Sequence, residues 1–219
     1  MKERPILFSA PMVRAILAGN KTQTRRIVKP QPEVADRLGV PAELPDVFKI
    51  RRSPIFSDAL SNDSFCKEFA PYGVPRERLW VREAWRLSTA TSETLIQYRA
   101  DGAFADFHDL IEDNNIDLGD EALDKVFNHA NEWRPSIFMS RWASRLTLGI
   151  TDVRVERLQD ISESDVQAEG FPYHPMQLEG AKRRWYRALW ESLNGPGSWD
   201  VNPWVWVISF SRVNSDSAL

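Results

Sequence analysis

The stretch APMVRAILAGNKTQTRRIVKP, residues 10–30, joins a short amphipathic helix to a dense group of polar side chains. Ser9 is suited to cap this helix, and Pro11 is suited to its first turn. Gly19 is suited to end the helix in the left-handed conformation. The apolar residues of the helix recur at helical spacing, at Val13, Ile16 and Leu17. The pattern predicts a helix that is followed by a turn formed by residues 20–26.

The polar residues behind Gly19 have a specific chemistry available to them. A threonine hydroxyl becomes a nucleophile when a base takes its proton, and a lysine with a lowered pKa can be that base. The charges of Arg25 and Arg26, together with partial burial, favour the neutral form of Lys21. Positions 21 and 24 share a face on a helix or turn but oppose each other on a strand. This chemistry therefore requires a turned chain as far as Thr24, and the alternative is a solvated basic loop.

The run GNKTQTRR resembles the signature of the ASCH family, which reads Gly-x-Lys-x-x-Glu-x-Arg. Gly19, Lys21 and Arg26 match it, and Thr24 stands at the glutamate position. Threonine is also found there in the bacterial N4-acetylcytidine amidohydrolase branch of the family. The rest of the chain is similar to longer, tryptophan-rich ASCH-type proteins of phages and prophages. This likeness covers roughly the first 30 residues, LWVREAW, residues 134–170 and the carboxyl-terminal NPWVWVISF.

The resemblance implies a mainly β (α+β) fold, a PUA-like ASCH β-barrel with peripheral helices and loop insertions. We expect one domain over residues 1–219, with insertions at about 31–76 and 101–133. The first insertion is rich in proline and charge, which favours loops. The second is acidic and suits an outer lid with short helices, because its charge would repel phosphate.

Composition excludes several classes of protein. The chain has 219 residues and a formal net charge of -3, so nucleic-acid binding would need a local basic patch. The single cysteine, Cys66, excludes an internal disulfide and fits a reducing cytoplasm. Three scattered histidines show no paired spacing for a metal, and no apolar run approaches membrane-spanning length. The prediction is a cytoplasmic protein without metal, cofactor, membrane contact or obligate protein partner.

Three further segments hold candidate site residues. Residues 79–87 read as one strand that puts Glu83 on an apolar face, where it is either the partner of an arginine or an active-site acid. Residues 134–158 include Trp142, a candidate for stacking on a base, and a strand with a change of phase near Thr151. A second capped helix, 161–171, carries Glu169 in its last turn, where a negative charge opposes the helix dipole.

The helix predicted at 181–194 has an apolar stripe formed by Trp185, Leu189 and Leu193. Its amino end is basic, with Lys182, Arg183, Arg184 and Arg187. Such a face is either solvated or suited to phosphate.

By its resemblance to the amidohydrolase branch, the chain is expected to remove the acyl group from an N4-acylated cytosine nucleoside. Thr24 would attack the amide carbonyl, Lys21 would accept its proton, and Glu169 would hold the lysine or serve as the acid. Arg26 and Arg25 would contact the ligand, with Glu83 and Trp142 as further binding residues. Two alternatives stay open: a non-catalytic module that binds RNA or a modified nucleotide, and a ribonuclease using the same cleft.

Overall fold

Helices and strands are mixed in the computed structural model, which has an α+β fold. It describes residues 2–31, 33–34, 48–49, 66–67, 69–89, 93–113, 119–172 and 180–213. The chain divides into two compact units. The first comprises residues 1–19, 78–148 and 212–219, and the second comprises residues 20–77 and 149–211. Most of the insertion predicted at 31–76 lies outside the described residues.

The first unit contains a parallel strand pair, an antiparallel three-stranded sheet and three helices. The pair is β1 (Glu3–Leu7) and β5 (Arg78–Arg82). The sheet is formed by β6 (Trp85–Ser88), β7 (Leu95–Tyr98) and β8 (Phe104–Asp106). The helices are α1 (Ala10–Leu17), α2 (Phe107–Asp113) and α3 (Asp120–Phe127).

Helix α1 begins after Ser9 and has Pro11 in its first turn, as the sequence predicts. The Ser9 backbone is extended, but its side chain makes no capping hydrogen bond. Gly19 has a φ of +74°, which confirms the predicted left-handed end of this segment.

The single strand predicted over residues 79–87 is wrong, because the chain breaks it at Glu83 and Ala84. Residues before the break pair with β1, whereas Trp85 and the residues after it pair with β7. Buried and partly buried positions alternate from Val81 through the break to Leu87, and strand periodicity alone therefore does not reveal the change of sheet.

Aromatic side chains dominate the core of the first unit. Trp142 is buried there, edge-on to Trp85 at 5.8 Å and to Phe107 at 5.5 Å between ring centroids. The other buried members include Trp80, Leu87, Ile96, Tyr98, Met139 and Ala143. Neighbouring rings cover Trp142 in this structure, and its stacking on a base stays a prediction.

The second unit contains most of β9 (Thr147–Arg157) and of β10 (Trp204–Val213) and all of β2 (Gln23–Ile27), which pair in the order β9, β10, β2. Strand β10 is antiparallel to β2, with Ile208 opposite Thr24. Two short strands, β3 (Glu33–Val34) and β4 (Phe48–Lys49), also pair. The helices are α4 (Glu163–Ala168) and α5 (Ala181–Asn194). The described strands form open sheets without a closed barrel, so the PUA-like barrel stays a prediction.

The change of phase predicted in β9 is confirmed. Leu148 and Ile150 are buried, Thr151 and Asp152 are both exposed, and burial resumes at Val153. The strand remains continuous through this point.

Helix α5 has the predicted bounds, but its buried stripe differs from the prediction. Tyr186 and Trp190 are buried, whereas Leu193 is exposed. The buried stripe therefore lies one residue along from the predicted one, a rotation of about 100° around the helix. None of the described helices is long and apolar enough to cross a membrane.

Candidate active site

Strand β2 and the residues just before it direct three polar side chains toward the same carboxylates. Lys21, Gln23 and Arg25 occupy alternate positions of an extended chain, which places them on one face. Lys21 forms an isolated antiparallel bridge with Glu169, and the backbone N–H of Thr22 donates to Ala168 O at 2.8 Å. These backbone contacts fix the amino end of β2 against the end of helix α4.

Lys21 and Glu169 form a buried ion pair. Lys21 Nζ lies 2.6 Å from Glu169 Oε2 and donates to the backbone carbonyl of the same residue at 2.9 Å. The exposed fractions of the two side chains are 0% and 3%. Burial lowers the pKa of Lys21; the charge and hydrogen bond of Glu169 oppose this shift, and the charges of Arg26 and Arg25 reinforce it. The net effect favours loss of the lysine proton relative to a solvated lysine.

Glu169 owes its position to the capping of helix α4. The Ser162 side chain accepts from Asp165 N, and the Asp165 side chain accepts from Ser162 N, which confirms the capping box predicted from the sequence. The helix ends at Ala168, Glu169 is its C-cap, and Gly170 follows with a φ of 98°. The helix dipole disfavours a carboxylate at this end, and the charges of Lys21 and Arg25 offset that cost.

Arg25 joins the Lys21–Glu169 pair to two further carboxylates. Its guanidinium lies 3.4 Å from Glu169 Oε1 and 3.2 Å from Asp165 Oδ2, and its Nε donates to Glu156 Oε1 at 3.1 Å. The side chain has no exposed surface. The sequence predicts Arg25 as a ligand-binding residue, but the structure places it inside a network of carboxylates.

Asp165 accepts hydrogen bonds from two further side chains of this network. Gln23 Nε2 donates to its Oδ1 at 2.9 Å, and Arg154 NH2 donates to the same oxygen at 3.1 Å. Burial would raise the pKa of Asp165, but hydrogen bonds from Gln23 and Ser162 and the charges of Arg25 and Arg154 lower it to about 2. This carboxylate is therefore ionised throughout the neutral pH range.

Tyr186 contacts Glu169 from helix α5. Its hydroxyl donates to Glu169 Oε1 at 3.4 Å, and the residue is buried. Burial raises the pKa of Tyr186 well above its ordinary value, and the negative charge of Glu169 adds to the shift. The phenol therefore stays a neutral donor. Sequence reasoning missed this residue because it was one position away from the predicted apolar stripe.

Thr24 does not share the face of Lys21. The sequence prediction required a turned chain as far as Thr24, but strand β2 begins at Gln23. Because neighbouring strand residues point to opposite faces, Thr24 and Arg26 lie on the face opposite Gln23 and Arg25. Thr24 is buried and Arg26 is partly buried.

The two remaining predicted site residues, Glu83 and Trp142, belong to the first unit. Arg145 contacts both carboxylate oxygens of Glu83, at 2.9 and 3.1 Å, and also contacts Asp101 at 2.9 Å. Burial raises the pKa of Glu83, whereas the hydrogen bond and charge of Arg145 oppose the shift. The geometry matches the predicted alternative in which Glu83 is the structural partner of an arginine.

The described residues contain no group of three or more histidine, cysteine, aspartate or glutamate side chains arranged to hold a metal ion. Comparisons of the chain with family models, curated proteins and solved structures found no match. The chemistry of the site therefore rests on its own geometry. A lysine whose pKa is lowered lies next to a carboxylate, which is an arrangement suited to proton transfer.

Proposed function

We propose that the protein is a hydrolase that removes the acyl group from an N4-acylated cytosine nucleoside, with Lys21 and Glu169 as its proton-transfer pair. The observation that carries the proposal is the 2.6 Å contact between these two buried side chains. The substrate class comes from the resemblance of residues 19–26 to the amidohydrolase branch of the ASCH family.

The proton transfer follows from the environment of Lys21. In its neutral form, Nζ takes a proton from the nucleophile as that atom attacks the amide carbonyl. The ammonium so formed is stabilised by Glu169 and then gives its proton to the departing exocyclic nitrogen. One water molecule is consumed, and the products are the free cytosine nucleoside and a carboxylic acid.

The nucleophile in this proposal is water. The resemblance assigns that role to Thr24, but the backbone of β2 directs residue 24 away from the face that holds Lys21. A water molecule activated by Lys21 requires no threonine on that face. Attack by the Thr24 hydroxyl stays a prediction of the resemblance, and substitution of Thr24 distinguishes the two routes.

Under the same proposal, the chain is an ASCH-type protein with a PUA-like fold, acts in the cytoplasm and needs no cofactor. Its partner is a modified cytidine, free or within RNA. Two alternatives stay open: a non-catalytic module that binds RNA or a modified nucleotide, and a ribonuclease that uses the same cleft. Each of the three readings requires the buried Lys21 and Glu169 side chains to become accessible to a ligand.

The test is incubation of the purified protein with N4-acetylcytidine, with loss of the acylated-base absorbance followed over time. Lys21→Met and Glu169→Gln should each abolish turnover. The double variant Lys21→Met/Glu169→Gln removes both buried charges together and limits the structural cost. It should remain folded, as judged by circular dichroism, and remain inactive.

A matched control is Arg187→Gln on helix α5, since Arg187 contacts Asp200 and Glu191 rather than the Lys21–Glu169 pair. It should retain turnover. The proposal is wrong if the wild type does not hydrolyse N4-acetylcytidine, or if the folded double variant hydrolyses it as fast as the wild type.

A further inference from the structure

The first unit has a cluster of arginines that are stacked on tryptophan rings. Arg82 lies over Trp80 at 4.7 Å from guanidinium carbon to ring centroid. Arg86 and Arg99 both lie over Trp133, at 4.7 and 5.6 Å. The fourth contact, Arg134 over Trp85, measures 5.1 Å. We name these seven residues the arginine–tryptophan surface; its Trp133 is exposed, whereas Trp80 and Trp85 are buried beneath their arginines.

One segment of chain, residues 131–138, links the members of this surface. Arg82 donates to the backbone carbonyl of Ile137 at 3.2 Å, and Arg86 donates to that of Asn131 at 3.4 Å. The segment itself carries Trp133 and Arg134. The four guanidinium groups therefore lie along one stretch of the first unit.

Within the described parts of the chain, none of the four arginines forms a salt bridge with a carboxylate, and the nearby charge of Glu132 acts on Arg134 alone among them. By contrast, Arg141 in the same unit pairs with Glu3 at 2.8 Å. The carboxylate of Glu132, within the linking segment, contacts His129 at 3.3 Å. Four cations without carboxylate partners form the kind of local basic patch that an acidic chain needs in order to bind phosphate.

Exposed apolar side chains accompany these cations. Trp133, Ile137 and Phe138 are 37%, 58% and 66% exposed. Phe138 ends a short 3-10 helix, Ser136–Phe138, that has no buried residue. Aromatic rings next to arginines provide stacking surfaces for bases and donors for phosphate oxygens.

We propose that the arginine–tryptophan surface, together with Phe138, binds a single-stranded polynucleotide. Arg86 and Arg99 would contact backbone phosphates, and an unpaired base would stack on Phe138. A duplex fits less well because its bases are already stacked on each other. This proposal is independent of the hydrolysis proposed for Lys21 and Glu169.

The test is fluorescence anisotropy with a labelled 12-nucleotide oligocytidine, as RNA and as DNA, in 50 and 200 mM salt. The wild type should bind both single strands more tightly than a duplex of the same length, and binding should weaken with salt. The double variant Arg86→Gln/Arg99→Gln should lose about tenfold in affinity at the lower salt concentration. The slope of log affinity against log salt concentration should become shallower by roughly 0.7 for each phosphate that the variant no longer neutralises. Phe138→Ala should lose about tenfold with a similar slope to the wild type.

Arg141→Gln is the matched control, because Arg141 lies in the same unit and already pairs with Glu3, and it should bind like the wild type. Arg86→Lys/Arg99→Lys should keep most of the salt slope, since the charges remain. The proposal is overturned by three results: no binding to either oligonucleotide, unchanged binding by the glutamine variant, or tighter binding of a polyglutamate peptide. It is likewise overturned if the wild type is a dimer in gel filtration and the glutamine variant is a monomer, since the surface is then an interface between copies of the chain.

Discussion

Lys21 Nζ contacts Glu169 twice, at the carboxylate Oε2 and at the backbone carbonyl oxygen of the same residue. The carbonyl groups at the end of a helix lack intrahelical partners, and a cation there is favoured by the helix dipole. Lys21 therefore donates a hydrogen bond to a carbonyl oxygen at the end of helix α4. It also pairs with the Glu169 carboxylate, which the helix dipole disfavours there. The same ammonium group has a structural role and, in our proposal, a chemical one.

This double contact predicts how the pair responds to substitution. Lys21→Met should lower the free energy of unfolding by about 3 kcal/mol, because it leaves the Glu169 carboxylate buried with weaker partners. Adding Glu169→Gln should recover part of that loss, since the unpaired charge is removed. Urea denaturation followed by tryptophan fluorescence measures both variants. A double variant that is less stable than the lysine variant alone would contradict this account.

The pKa of Asp165 predicts a loss of stability in acid. Because its folded-state pKa is lowered to about 2, its contribution is complete above the unfolded value near 4 and is lost as the pH falls from about 4 to about 2. Asp165→Asn should therefore flatten the decline in unfolding free energy across this range. The matched control is Asp200→Asn, whose side chain is largely exposed and contacts Arg187. An equal decline in wild type and Asp165→Asn would refute the prediction.

Much of the fold around the site could be predicted from local pattern. The helix that ends at Gly19, the capping box of Ser162 and Asp165, and the change of phase at Thr151 all appear where the sequence places them. Each depends on residues within a few positions of one another. Such local rules need no knowledge of the tertiary structure.

The carboxylates around Arg25 could not be predicted in this way. Glu156, Asp165 and Glu169 come from a strand and a helix more than 130 positions along the chain, and only the fold brings them to one guanidinium. The sequence predicted Arg25 as a ligand-binding residue and gave no sign of these three carboxylates. Tyr186 was missed for a related reason, since a shift of one residue in the stripe of α5 decides which side chain is buried.

The surroundings of Lys21 predict a pH profile for hydrolysis. Burial lowers the pKa of Lys21, with a further contribution from the positive charge of Arg26. Turnover needs the neutral amine, so it should rise as the pH rises through that pKa. Arg26→Gln removes one of the lowering charges, which should move the rising limb of kcat/KM to higher pH. Arg187→Gln should leave the limb in place, and a limb that Arg26→Gln does not move would contradict this prediction.

Substitution of Tyr186 tests the anchoring of Glu169. Tyr186→Phe removes the hydroxyl that donates to Glu169 Oε1 at 3.4 Å but keeps the packing of the ring. The contact is long, so we expect a loss of about 1 kcal/mol in stability and a few-fold loss in turnover. Thermal unfolding and the N4-acetylcytidine assay measure the two effects. A loss of turnover as large as that of Lys21→Met would instead make the phenol a participant in the proton transfer.

The direction of Thr24 predicts the outcome of its replacement. Thr24 lies opposite Ile208 of β10, on the face of β2 away from Gln23 and Arg25. Valine has nearly the same shape as threonine but lacks the hydroxyl. If water is the nucleophile, Thr24→Val should keep turnover within about threefold of the wild type. This corresponds to a difference of roughly 0.7 kcal/mol in activation free energy. If Thr24 forms an acyl-enzyme, the loss should be on the order of 10⁴-fold or more, while Thr24→Ser keeps activity. Intact-protein mass spectrometry during turnover gives an independent readout. An added acyl group on the wild type that is absent from Thr24→Val would establish the covalent route and overturn the assignment of water.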